Sequence, residues 1–325
     1  MAGLASGADL RYGGVWTPSQ RMKNDAIWAL VSTALAVARF MPLGLLVALG
    51  RSLGSLAHAG ARGQRRQALA NVELALPHLD SSARRALVRQ CFHSLGAVLG
   101  ETVALLGGAV ALEPLPLAAE ARRTLDDARA EGRGVVFASA HLGPWERVAA
   151  AIAASGIPFT AVTRDSYDPR FSRLQNEMRR SAGVNVIRRA RAQSSSAPLA
   201  IFRALRRGDV VGMVMDLRSR VPSCEVPFLG IPAQTALGPA RIALRTGAPV
   251  VVGSAAPAGA GEAQISVTAT RIPVDGLDGP GGALELTARI NAEISRRILA
   301  MPHAWVWMHE RWPGPRHAMM AARHG

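Results

Sequence analysis

From residue 118 onward the chain alternates helical and strand patterns almost without interruption, and this alternation restricts the fold more than any other feature. A helical stretch over 118–131 leads through Gly132 and Gly134 into VVFASA (135–140), a continuous apolar run. FTAVT (159–163), VNVIR (184–188), DVVGMVM (209–215) and APVVVGSAA (248–256) repeat the theme, each after a helical pattern. QISVTATRI (264–272) reads as a strand of alternating polarity, and a long amphipathic helix follows at 282–301. Strands that are apolar throughout must be covered on both faces. The expected fold class is therefore α/β, with a mostly parallel or mixed sheet flanked by helices.

Ahead of that domain the pattern differs. Residues 1–24 are polar and Gly-rich and are expected to be poorly ordered; 25–112 form a helical, membrane-associated region; 113–315 form the α/β domain; and 316–325 are a tail. Pro114 and Pro116 mark the linker, Pro77 divides 62–107 into two helices, and Ser81 suits an N-cap. Apolar residues dominate 26–50, where Arg39 divides stretches of 13 and 11 residues, each short of the ~20 that span a bilayer. The expectation is a helix lying in or dipping into a membrane, with an ordinary buried helix pair as the alternative. No signal-peptide cleavage pattern stands at the right place.

Composition narrows the partners. The formal net charge is +15, and Lys23 is the only lysine, so 37 of the 38 basic residues are arginine. Guanidinium forks suit phosphate, which points to anionic partners, although a GC-rich genome alone also enriches arginine. Aromatics are only 5% and no nucleic-acid motif occurs, so a membrane surface is expected and nucleic acid is not. Two distant cysteines, Cys91 and Cys224, fit neither a disulfide framework nor a metal site.

In α/β sheets ligands collect beyond the carboxyl ends of the strands. His141, Gly143, Trp145 and Glu146 follow the first strand, Arg164 and Asp165 the second, Arg188 and Arg189 the third, and Asp216 and Arg218 the fourth. His141 and Glu146 stand five apart across a Gly-Pro turn, which lets a carboxylate in the first helical turn face the ring. A carboxylate on one imidazole nitrogen fixes the tautomer, and the other nitrogen then takes a proton from a hydroxyl. The alternative is a buried structural histidine, with Glu146 answering the helix dipole. Ser139 lies mid-strand without a nucleophile elbow. The cluster AWVWMHERW (304–312) suits either an interfacial tryptophan anchor or core packing of a C-terminal strand.

HLGPWE (141–146) resembles the first motif of the lysophospholipid acyltransferase superfamily, His, four residues, then Asp or Glu. Gly143 and Trp145 make it similar to the lipid A late acyltransferases (lauroyl and myristoyl transferases) and the phosphatidylinositol mannoside acyltransferases. Pro144 replaces the usual Asn of that branch. The likeness runs from about residue 28 to 313 and includes VPFLGIPAQTALGPARIALRTGAPVV and the closing PHAWVWMHERW.

The resemblance implies an acyl donor, acyl carrier protein or coenzyme A thioester, and a glycolipid acceptor, with no other cofactor and no metal. It maps a second carboxylate onto Asp216 and a phosphate-binding arginine onto Arg164. The expected reaction is direct transfer: His141 deprotonates the acceptor hydroxyl, Glu146 orients and balances His141, and amides near Gly143 and an arginine stabilise the oxyanion. Arg164, Arg188, Arg189, Gly143 and Trp145 are expected to touch substrate. The expected place is the cytoplasmic face of a bacterial inner membrane, in lipid A biosynthesis. The alternatives are a mannosylated-lipid or lysophospholipid acyltransferase, or a non-catalytic lipid-binding protein of the same fold.

Overall fold

The computed structural model describes residues 15–107, 113–189, 196–218, 222–257, 265–277 and 279–313. Six strands form one mixed sheet: β1 (Val135–Ser139), β2 (Phe159–Arg164), β3 (Asn185–Arg189), β4 (Val210–Val214), β7 (Val250–Pro257) and β8 (Ile265–Ile272), in the order β3-β2-β4-β1-β7-β8. All neighbours are parallel except β7 and β8. Central β1 is buried at every residue, as its unbroken apolar run requires. Its pleat sends Val136 and Ala138 into one core layer and Val135 and Phe137 into the other. The alternating β8 takes the antiparallel edge.

α5 (Ala119–Ala130) and α6 (Trp145–Ala154) cover one face. α8 (Ser196–Arg206), α9 (Gly238–Thr246) and α10 (Gly282–Ala300) cover the other, while α7 (Pro169–Ser181) packs beside β3. The stretch expected as a linker lies along β8, where Ala118 N donates to Val267 O at 3.0 Å and Val267 N to Pro116 O at 2.8 Å.

Four helices precede the sheet: α1 (Pro18–Ala38), α2 (Leu43–Gly60), α3 (Arg62–Ala75) and α4 (Ser81–Gly107). Most of the N-terminus expected to be poorly ordered falls outside the described residues. From Pro18 the chain is helical, because Thr17 and Gln20 form a capping box and Pro18 takes the first turn. Pro42 opens α2, so the apolar stretch folds as two helices. Asp80, not Ser81, caps α4: its Oδ1 accepts from Ser82 N at 2.7 Å and Ala83 N at 2.8 Å. α2 crosses α4 in backbone contact, and a Cβ on Gly50 would lie 2.2 Å from Gly96 O. α3 and α4 also share the main core with the sheet.

Among the described residues no helix is long and apolar enough to cross a membrane. α2 nevertheless exposes Leu45, Leu49, Leu53 and Leu56, and Val37 and Phe40 are exposed ahead of it.

Two features departed from the sequence pattern. β5 (Ser223–Phe228) and β6 (Ile231–Ala236) form a separate hairpin held to α10 by Asn291 and Ser295. Its turn residues, Leu229 and Gly230, both have positive φ (51° and 78°), so a leucine stands where such turns favour Asn or Asp. The tryptophans of the closing segment are not an interfacial anchor, since Trp305, Trp307 and Trp312 are at most 1% exposed. Trp305 meets Trp307 and Trp312 edge-on, Trp305 and Trp312 lie tilted against Phe228 in the core, and the segment folds as a 3-10 turn (Pro302–Ala304) and irregular chain, not as a strand.

Candidate active site

β1 and β4 are parallel neighbours with Val135 opposite Val210 and Ser139 opposite Val214. The same offset carried two residues past the strand ends sets His141 beside Asp216. There Met215 N donates to Ser139 O (3.0 Å) and His141 N to Asp216 Oδ2 (2.9 Å). The ladder between the strands thus runs on into the site.

Asp216 is fully buried and its oxygens meet three donors. Besides His141 N, these are His141 Nδ1 on Oδ1 at 2.9 Å and the Trp305 indole Nε1 on Oδ2 at 2.8 Å. Burial pushes this carboxyl up, but the His141 charge and the hydrogen bonds from His141 and Trp305 outweigh it and hold it below the usual range. Burial likewise pushes the His141 imidazole down; the Asp216 charge and hydrogen bond, with a further contribution from Glu146, outweigh it and raise the ring above its ordinary value. An ionised carboxylate only accepts, so Nδ1 carries the proton and Nε2 keeps its lone pair.

This corrects the expected pairing. Glu146 does not orient the ring, because Arg179 of α7 grips it with both arms of its fork, Nε on Oε2 at 3.0 Å and Nη2 on Oε1 at 2.5 Å. Its share in the site is the charge it adds near His141. Trp145 packs edge-on against the His141 ring, with centroids 5.1 Å apart. Gly143 turns the chain with φ +57°, but its N–H donates to Ala304 O at 3.0 Å. In this conformation it does not serve as an oxyanion donor. Ser139 Oγ donates to Gly253 O at 2.8 Å, which occupies it in the sheet.

The arginines lie along the same sheet edge, farther out. Arg164 and Arg189 are cross-strand neighbours on β2 and β3. They stand two and three strands from β1, about 10 and 15 Å away at ordinary strand spacing. Burial and the Arg164 charge both lower the Arg189 pKa. Arg188 holds Asp165 through two hydrogen bonds, at 2.9 and 2.7 Å. The structure therefore gathers His141, Asp216 and Trp145 at one point and sets the three arginines to one side. Among the described residues no three His, Cys, Asp or Glu side chains are grouped to hold a metal.

A family model described as bacterial lipid A biosynthesis acyltransferase matches residues 17–313. The chain belongs to that family. A comparison with curated proteins finds none that matches it. Acyltransferase activity of the lipid A type is what the family carries.

For an acyltransferase of this family, the residues that sequence reasoning missed come from the closing segment. Trp305 touches Asp216 directly. Arg311, 1% exposed, donates to Gln234 O at 2.5 Å and Thr235 Oγ1 at 2.7 Å, and its guanidinium sits 4.5 Å above the Phe228 ring. Burial pushes its pKa down to about 10, with the Asp216 charge opposing. His309 is held below its ordinary value by burial, while Asp216 pulls it up and Arg311 and His141 push it down. A tryptophan-rich run carries no catalytic signature in sequence, which is why these groups stayed hidden.

Proposed function

We propose that the chain transfers a fatty acyl group from an acyl carrier protein or coenzyme A thioester to a hydroxyl of a glycolipid, in lipid A biosynthesis. The observation that carries this reading is the His141–Asp216 pair at adjacent parallel strand ends, with Nδ1 bound and Nε2 left as the base. Nε2 takes the hydroxyl proton as the alkoxide oxygen attacks the thioester carbonyl. The tetrahedral intermediate collapses, the C–S bond breaks, and the thiolate leaves with the proton from the imidazolium. The products are an ester and a thiol. Asp216 balances the transient imidazolium; the raised imidazole pKa fits a group that must hold a proton between these steps.

Glu146 and Arg179 brace α6 against α7 and add negative charge near the ring. Trp145 shapes the acyl side of the base. Arg164 and Arg189 form a basic edge for a phosphate of donor or acceptor, with Arg188 ordering the loop through Asp165. The apolar face of α2 rests on the cytoplasmic surface of a bacterial inner membrane, because exposed leucines in helical register are expected to seek an apolar phase.

The test supplies purified protein with acyl carrier protein or coenzyme A thioesters and, separately, a lipid A precursor, a mannosylated phosphatidylinositol and a lysophospholipid. Mass spectrometry of the lipid and release of thiol are followed together. Acylation of the lipid A precursor supports the reading. Acylation of another acceptor moves the assignment within acyltransferases, and no thiol release with any pair overturns it.

A further inference from the structure

The closing segment ties three parts of the molecule together. Gly143 N, just beyond β1, donates to Ala304 O at 3.0 Å. Asn71 of α3, fully buried, donates to Trp307 O at 2.8 Å and His309 O at 2.7 Å. Cys91 of α4, also fully buried, donates to Trp305 O at 3.0 Å. Between these ties, the Trp305 indole reaches Asp216 beyond β4.

We propose that Trp305 is a positioning residue for acyl transfer: its indole N–H fixes the Asp216 carboxylate so that Oδ1 faces His141 Nδ1. This rests on the acyl-transfer reading above. The other tryptophans of the segment set a baseline for core packing. Trp307 Nε1 donates to Pro302 O at 2.6 Å, and Trp312 Nε1 has no acceptor among the described residues. Only Trp305 gives its N–H to the carboxylate that holds the base.

The geometry explains why that matters. Oδ2 accepts from His141 N at 2.9 Å and Trp305 Nε1 at 2.8 Å. Two donors on one oxygen fix the carboxylate plane and leave Oδ1 for the ring. With only the backbone donor, the side chain regains rotation about its last bond, and Nδ1 loses a fixed partner. Trp305 itself is held rigidly, between Trp307 at 4.8 Å and Phe228 at 5.5 Å between ring centroids. Cys91 of α4 and Asn71 of α3 also tether the backbone of the segment that carries the indole.

The charged and titratable groups that act on His141 or on its partner Asp216 are Glu146 on α6, whose charge Arg179 of α7 pairs, and His309 and Arg311 on the closing segment. Cys91 on α4 is buried and stays a thiol, pushed up to about 12 by burial. Without the indole the carboxylate loosens from the ring, part of the pull that raises the His141 pKa is lost, and the ring pKa falls.

The experiment compares full-length wild type, Trp305→Phe, Asp216→Asn and the double variant. Trp305→Phe is expected to lower kcat about tenfold, with KM for both substrates within about twofold, since an uncharged donor to a buried carboxylate is lost. NMR titration of ring-labelled histidine should show the His141 pKa lowered, and the acid limb of the rate profile should move to lower pH with it. In the Asp216→Asn background, Trp305→Phe should cost nothing further in kcat. Benzothienylalanine at 305 replaces the N–H by sulfur at nearly constant shape, and should reproduce the losses if the phenylalanine variant folds poorly.

A wild-type kcat with an unshifted His141 titration in either variant overturns the proposal. So does an equal loss in the Asp216→Asn background, which would mean that Trp305 acts through packing. Should wild type consume no thioester, the acyl-transfer reading fails, while the titration still reports whether Trp305 positions the pair.

Discussion

Asp216→Asn replaces an acceptor by a half-donor at a point where three donors converge. His141 N and Trp305 Nε1 both converge on Oδ2, so the asparagine oxygen takes that place and its NH₂ faces His141 Nδ1. Two donors cannot pair, so Nδ1 must give up its proton and become an acceptor. The proton moves to Nε2, and the base is lost while the backbone stays in place. In a Ser–His–Asp triad the same exchange costs about 10⁴ in kcat. Here a loss of about 10³–10⁴ is expected, or roughly 4–5.5 kcal/mol of barrier.

The pH profile gives an independent sign. Asp216 is the largest influence raising the His141 pKa against burial. Activity needs the neutral ring, so wild type loses activity as pH falls through a value above the ordinary imidazole range. In Asp216→Asn that limb moves to lower pH. The assay is the initial rate of thiol release from an acyl thioester between about pH 5 and 9, with thermal melting as a check on folding. More than a tenth of wild-type kcat in a folded Asp216→Asn protein, with an unmoved acid limb, would refute the assignment of Asp216 to the ring.

Glu146→Gln is expected to cost far less in kcat than Asp216→Asn, because Glu146 does not touch the ring. It should lower stability by about 1–2 kcal/mol by leaving the Arg179 charge half-buried and poorly paired, and denaturant melts check this. Arg164→Lys should raise KM for the phosphate-bearing substrate, since a fork becomes a point charge; unaltered kinetics would remove the phosphate role. Leu49→Glu with Leu53→Glu should release the protein from anionic vesicles by flotation assay while sparing turnover of a soluble acyl thioester, because both side chains face outward on α2.

The sheet was legible because its strands are short, apolar and separated by helical patterns. β1, β2, β3, β4 and β7 start and end within about two residues of their apolar runs. That both His141 and Asp216 stand at strand ends followed from the same reading. Their pairing did not, because strand order is a long-range property. Nearness in sequence favoured Glu146, five residues on, whereas the partner is 75 residues away on the strand beside β1. The hairpin of β5 and β6 was hidden because Leu229 carries a left-handed conformation that leucine seldom takes. The tryptophans suit a membrane interface and a core equally well by residue type, and only the packing of Phe228 and Asp216 around them decides.

The central claim is that His141, ordered by Asp216, is the base of an acyl transfer. The most direct measurement is single-turnover release of thiol from an acyl carrier protein or coenzyme A thioester, with mass-spectrometric detection of the ester formed on a glycolipid hydroxyl. Wild type and His141→Ala are compared at equal folded concentration, established by thermal melting. The account predicts stoichiometric thiol and ester from wild type and a loss of about 10²–10⁴ in rate for His141→Ala. Ester formation by His141→Ala at more than a tenth of the wild-type rate would contradict it.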